Sequence, residues 1–249
     1  MKNKAFVAAL VSMASLFLAF FLWWGWTAES YYTEDMATDE PVVLESPPPT
    51  TPAPTYYIPQ FVPLFTAEPL PAHIIDFITG ITFHDNTPFG YDFLSYLTIS
   101  HVDFDGEDRI GHMIVAAEIA GEVLDIFKEI YEARFPIHSI KLIDYFDADD
   151  YLSLMANNSS AFNFRYIAGT NIISRHGFGM AIDINPIQNP YARGETIKPA
   201  IGAQYLDRAY IRPGMIVPGD AVYTAFTSRG WTWGGNWTWP KDYHHFERR

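Results

Sequence analysis

Between Ala5 and Ala28 the chain carries no charged residue: AFVAALVSMASLFLAFFLWWGWTA, preceded by Lys2 and Lys4 and followed by acids at Glu29, Asp35 and Glu40. A run of this length suffices to cross a bilayer as a helix. Lysines before it and acids after it predict an N-terminus held in the cytoplasm and the remainder exported. Residues 1–28 are therefore expected to be a membrane anchor or a signal peptide. The bulky Trp23, Trp24 and Trp26 stand where a cleavage site needs small residues, which favours a retained single-pass anchor; cleavage would leave the protein secreted.

The composition then changes. SPPPTTPAPT at residues 46–55 is the extreme of a proline-rich stretch, and proline at that density favours extended chain without internal hydrogen bonds. Residues 29–75 read as an extracytoplasmic linker and residues 76–249 as one folded domain, expected to be monomeric. With 49% hydrophobic residues the chain has the material for a core. A net charge of -13 excludes sequence-independent attraction to nucleic acid, which needs clustered lysine and arginine. The absence of cysteine excludes disulfides, thiolate metal sites and cysteine nucleophiles, so any transition-metal site must draw on His, Asp and Glu.

Within the domain, HVDFDGEDRIG (101–111) predicts a turn between strands, with Gly106 at the tight position. Val115, Ile119, Val123, Ile126, Phe127 and Ile130 recur at helical spacing and predict a helix over about 114–134, limited by Pro136. SIKLIDYF (139–146) alternates like a strand, and the polar stretch that follows reads as a long connection. A strand is expected at about 180–185, and a short helix at 221–228 with Asp220 as N-cap and Gly230 as stop. WTWGGNWTW alternates like a strand, with one tryptophan pair in the core and the other at the rim or lining a groove. Helix and strands without regular βαβ alternation give an α+β class: a small, mostly antiparallel sheet flanked by helices.

The chemistry lies in SRHGFGMAIDINP (174–186) and KDYHHFERR (241–249). His176 and Asp183 are seven positions apart, about 23 Å if the intervening chain is extended, so sharing an ion requires a fold-back. Gly177 and Gly179 are placed to supply it. Alone, the stretch reads more readily as a turn and a half-buried strand whose carboxylate is met by backbone N–H groups than as a metal site. Asp242 and His245, three apart, face one point in a bend and opposite sides in a flat strand. Two histidines and a carboxylate leave a fourth position open, the pattern of a catalytic zinc, with Asp242 as a proton acceptor; the competing reading is a polar tail.

The pair S-x-H-x-x-G-x-A-x-D in SRHGFGMAID and D-x-x-H-F-E in DYHHFE resembles the zinc metallopeptidases of the VanY and VanX type, D-alanyl-D-alanine carboxypeptidases and dipeptidases. It is similar also to the L-alanyl-D-glutamate endopeptidases of phage lysins and, more distantly, to the hedgehog signalling domain. DFDGEDRIG, FPIHSIKLIDYF, NNSSAFNFR, DINPIQNPY and GWTWGGNW extend the likeness over about residues 100–247. The resemblance implies one Zn2+ held by His176, Asp183 and His245, and acid/base work by Asp242, where many relatives have Glu. It also implies a substrate-side serine at Ser174 and a carbonyl-holding arginine, for which Arg165 is the nearest candidate. Glu247 reads equally as an acceptor that orients His245 and as a solvated carboxylate of the tail, and His244 reads as flanking. The implied function is hydrolysis of peptidoglycan peptides containing D-amino acids. The alternative is a non-catalytic, zinc-containing wall- or peptide-binding module of the same fold.

Overall fold

The computed structural model describes residues 60–249. The expected anchor and the proline-rich stretch lie outside the described residues, and no helix within them is long and apolar enough to cross a membrane.

The fold opens earlier than the linker boundary at residue 75 predicts. Strand β1 (Phe65–Pro69) pairs antiparallel with β2 (Leu94–Val102), which pairs with β3 (Asp108–Ala116). Helix α1 (Ala72–Ile78) lies between β1 and β2 in the chain and buries Ile74 and Ile78. Proline hides this strand from composition, because an edge strand tolerates a missing N–H that a central strand does not. The β2–β3 turn forms as expected: Gly106 takes φ +82°, and Asp103 Oδ1 accepts from the N–H groups of Asp105 and Glu107.

The predicted helix starts later. Residues 114–116 finish β3, and helix α2 (Ala120–Glu132) follows a 3-10 turn at Ala117–Ile119. The apolar period runs on through the strand end because both elements bury that side. Val123, Ile126, Phe127 and Ile130 of α2 pack on Leu97, Ile99 and Val115 of the sheet.

The strand expected at 139–146 shrinks to β4 (Ser139–Ile140), and Ile143–Phe146 is a 3-10 turn. The polar connection contains α3 (Asp150–Met155), capped by the Asp149 carboxylate, and β5 (Asn158–Ser159), which pairs parallel with β4. The side chain of Asn158 substitutes for the missing ladder by bonding both the N–H and the C=O of Lys141.

Beyond it come β6 (Ala181–Asp183), the hairpin of β7 (Tyr191–Arg193) and β8 (Thr196–Lys198), and α4 (Ala221–Thr227). Asp220 caps α4 through the Tyr223 N–H, and Gly230 takes φ +82° beyond its end. The tryptophan stretch yields only β9 (Thr232–Trp233) before a 3-10 turn at Gly234–Asn236, since two glycines break the alternation. Strands β10 (Lys241–Asp242) and β11 (His245–Glu247) end the chain.

The class is α+β with few helices, but the single small sheet expected from the sequence is divided. Three three-stranded antiparallel sheets form, β1-β2-β3, β10-β7-β8 and β6-β11-β9, with β4–β5 as a parallel pair. The main core lies between α2, α4 and the β6-β11-β9 sheet. There Phe226 stacks on Phe246 at 4.2 Å, and Trp231 and Trp233 are buried. This packing gives the site sheet a rigid floor.

Candidate metal centre and its cleft

The fold-back that the motif requires is built by a 3-10 turn at Arg175–Phe178 leading into β6. Ser174 begins it, its Oγ accepting from the His176 N–H at 3.3 Å. The two glycines act differently from expectation. Gly179 is left-handed at φ +63°, and a Cβ there would meet Ala116 N at 2.6 Å, so it supplies the reversal. Gly177 has no positive φ; a Cβ there would meet Ile173 at 2.6 Å, so it is needed for close packing.

The second half of the site comes from a switch between sheets. Asp242 belongs to β10, paired with Tyr191, whereas His245 belongs to β11, directly opposite Asp183 of β6. The chain bends through Tyr243 and His244, so residues three apart face one cleft although both lie on strands.

His176, Asp183 and His245 converge. His176 Nε2 lies 3.3 Å from Asp183 Oδ1 and 3.2 Å from His245 Nδ1, and His245 Nδ1 lies 3.0 Å from Asp183 Oδ1. All three side chains are buried or nearly so. Donors about 2.0–2.1 Å from one tetrahedral centre stand about 3.3 Å from each other, so these separations fit a shared ion such as zinc. The tautomers fit as well. His176 Nδ1 is 2.6 Å from the Ala161 carbonyl and must be the protonated nitrogen, leaving the Nε2 lone pair toward its partners. His245 Nε2 faces Glu247 Oε2 at 3.5 Å, leaving Nδ1 toward Asp183. Among the described residues this is the one trio of possible metal-ligating side chains so arranged.

The electrostatics favour a cation. Burial pushes Asp183 up, but His176 and His244 nearby and hydrogen bonds from His176 and His245 hold it well below the usual carboxylate range. Burial pushes His245 down, yet hydrogen bonds to Asp183 and Glu247 raise it to about 10. His244 is likewise pushed down by burial and raised to about 9 by Asp242 and Asp183. The hydrogen bond from His245 draws Glu247 down to about 2. Such a set of buried carboxylates stabilises positive charge, as protons or as a metal ion.

These groups line a cleft of about 960 Å³, together with Ser160, Arg165, Ser174 and Trp237. Arg165 does reach it, with Nε 2.6 Å from Asp150 Oδ2 at the start of α3. Trp237 packs on His245 with ring centroids 5.6 Å apart, while Trp239 is exposed and lies under Arg193.

His244 departs from its expected flanking role. Its Nδ1 donates to the Asn189 carbonyl at 2.7 Å, and its Nε2 is 3.0 Å from Asp242 Oδ1 and 3.8 Å from Asp183 Oδ2. The doublet His244-His245 was the available signal. Strand alternation sends neighbours to opposite sides, and only the bend between sheets turns both toward carboxylates. Of the β7–β8 hairpin, whose Tyr191, Arg193, Thr196 and Lys198 line the cleft, only Tyr191, at the end of DINPIQNPY, lay in a stretch of family likeness, and none was expected at the site.

No curated protein and no solved structure matches the chain. The stretch that holds Ser174, His176, Asp183, Asp242 and His245, and that leaves Arg165 outside, does have a counterpart: residues 168–248 are similar to a family described as D-alanyl-D-alanine carboxypeptidase.

Proposed function

We propose that the protein is a zinc-dependent peptidase that hydrolyses amides in the D-amino-acid-containing peptides of peptidoglycan. In this reading it is exported and works as a monomer, held at the membrane by its N-terminal segment. The observation that carries the reading is the convergence of His176 Nε2, Asp183 Oδ1 and His245 Nδ1 within 3.3 Å of one another in a cleft that also holds Asp242.

His176, Asp183 and His245 would hold the ion. A zinc ion bound there supplies Lewis-acid polarisation of the scissile carbonyl and a lowered pKa for water. The rest is done by the chain. Asp242 accepts a proton from the attacking water as its oxygen bonds to the carbonyl carbon. The same carboxylate then delivers that proton to the amine nitrogen as the C–N bond breaks. Arg165 supplies positive charge for the oxyanion, its orientation set by the ion pair with Asp150. Ser174 flanks the substrate from the turn that carries His176. Asp242 also separates this reading from a non-catalytic binding module, which has no use for a proton acceptor beside the ion.

The test is digestion of muropeptides by purified, zinc-loaded protein, followed by mass spectrometry. Release of D-Ala or cleavage after L-Ala that is lost in Asp242→Asn supports the reading. Stoichiometric zinc with no turnover of any muropeptide replaces it with the binding module.

A further inference from the structure

Asp242, Tyr191 and Lys198 occupy one row across three strands. Asp242 of β10 is the register partner of Tyr191 of β7, and Tyr191 is the partner of Lys198 of β8. Residues in one row project to one face, and those two positions along return to it. Arg193 and Thr196, partners in the row two residues on, therefore share that face. The cleft lining agrees: it contains Asp242, Tyr191, Lys198, Arg193 and Thr196, and omits Lys241, Ala192 and Ile197 of the intervening row. The hairpin is thus a continuous extension of the strand bearing the acid/base, with Lys198 two strand spacings, about 10 Å, from Asp242.

Charge changes sign along this wall. Asp242 stands on β10, the strand that leads to His245, whereas Lys198 stands two strands away on β8 and Arg193 on β7 between them. Neither cation has a carboxylate partner among the described residues. Arg193 is braced with its guanidinium 4.5 Å from the Trp239 ring centroid, an arrangement that fixes the side chain and leaves its charge unneutralised. In a chain of net charge -13, unpaired cations facing the reaction cleft are conspicuous.

Resting on the peptidase reading above, we propose that Lys198 with Arg193 forms a specificity subsite for a carboxylate of the peptide substrate. The acid/base and the carboxylate-binding group are then set apart by strand spacing alone. The carboxylate has two sources, the C-terminal group of the peptide or an acid within it. In the first case the subsite reads the end of the peptide; in the second it reads an acid along it.

The experiment compares kcat/KM for a D-Ala-D-Ala-terminated stem pentapeptide with that for two derivatives, one amidated at the C-terminus and one at the internal glutamate. The wild type is expected to disfavour one amide by about tenfold, mainly in KM, as for loss of one charge-assisted pair. The amide that suffers names the source. Lys198→Gln should bring that ratio close to one, Arg193→Gln should reduce it, and Lys198→Arg should keep most of it. Equal rates on all three peptides, or a ratio that survives in both Gln variants, would overturn the subsite. If zinc-loaded wild type cleaves none of them, the peptidase reading falls. The subsite is then judged by calorimetric affinity of free and amidated peptide for wild type and Lys198→Gln, where equal affinities overturn it too.

Discussion

The Nδ1 atom of His176 is bonded to the carbonyl oxygen of Ala161 over 2.6 Å, and this contact fixes which nitrogen faces Asp183 and His245. A preset tautomer makes the trio a site before any ion arrives. His176→Ala and His245→Ala are each expected to lower zinc affinity by more than about a hundredfold, beyond the 10–100-fold typical of lost outer-shell partners. Calorimetric titration of the purified protein checks this. Wild type should also lose thermal stability on chelation and regain it with zinc, since an ion at 100 times its Kd adds about 2.7 kcal/mol. Unchanged affinity in both variants would remove the metal centre.

Asp242 is set beside the trio without belonging to it. Asp242→Asn should keep stoichiometric zinc and lose about 10²- to 10⁴-fold in kcat, the usual weight of acid/base catalysis. Metal analysis and steady-state kinetics on the same preparation separate this outcome from misfolding.

His244 Nε2, 3.0 Å from Asp242 Oδ1, is expected to hold that carboxylate in place. His244→Phe should lower kcat about tenfold while zinc stays bound, and should destabilise the fold by about 1–3 kcal/mol, because the buried Asn189 carbonyl loses its donor. His244→Gln, which retains a donor, should fall between. Kinetics that match wild type in His244→Phe would reduce this residue to packing.

Gly179→Ala confronts both a φ of +63° and an Ala116 nitrogen 2.6 Å from the new Cβ. The expected cost is about 2 kcal/mol or more. Zinc affinity should fall with it, because the turn carrying His176 cannot close. Urea denaturation of the chelated protein, alongside zinc titration, reads both effects.

His101 lies away from the cleft and gives a pH test independent of the metal. Burial pushes it down to about 4, partly offset by a hydrogen bond to the Ile99 backbone, against about 6.5 in an unfolded chain. Between those values the unfolded state holds the extra proton, so stability is complete above about pH 6.5 and falls as the pH drops toward 4. The contribution is at most about 3 kcal/mol. The wild-type loss between pH 7 and 4.5 should exceed that of His101→Gln by a measurable part of this; equal losses would remove His101 from the acid response.

The convergence of His176, Asp183 and His245 was legible because each half of the site sits in a short segment whose spacing survives any error in the surrounding elements. His176 and Asp183 needed only a fold-back, and Gly179 announced one. What was not legible depends on distant pairing. Strands of two residues, such as β4 and β9, have no period to detect. β1 hid among prolines, and the hairpin residues reach the cleft only because β10 pairs with β7. Asn157 and Asn158 show the same limit: as sequence they head glycosylation motifs, yet both are buried and hold backbone groups of Ile187 and Lys141.

Asp242 rides on the β10-β7-β8 sheet and His245 on the β6-β11-β9 sheet, and Tyr243 and His244 are the two residues between them in sequence. Backbone bonds hold that junction from both ends, the Ile184 N–H donating to the His244 carbonyl at 3.0 Å and the Tyr243 N–H to the Pro190 carbonyl at 3.4 Å. The two-residue bend is thus clamped by the segment that links β6 to β7, and a change that loosens that segment displaces Asp242 and His245 relative to one another.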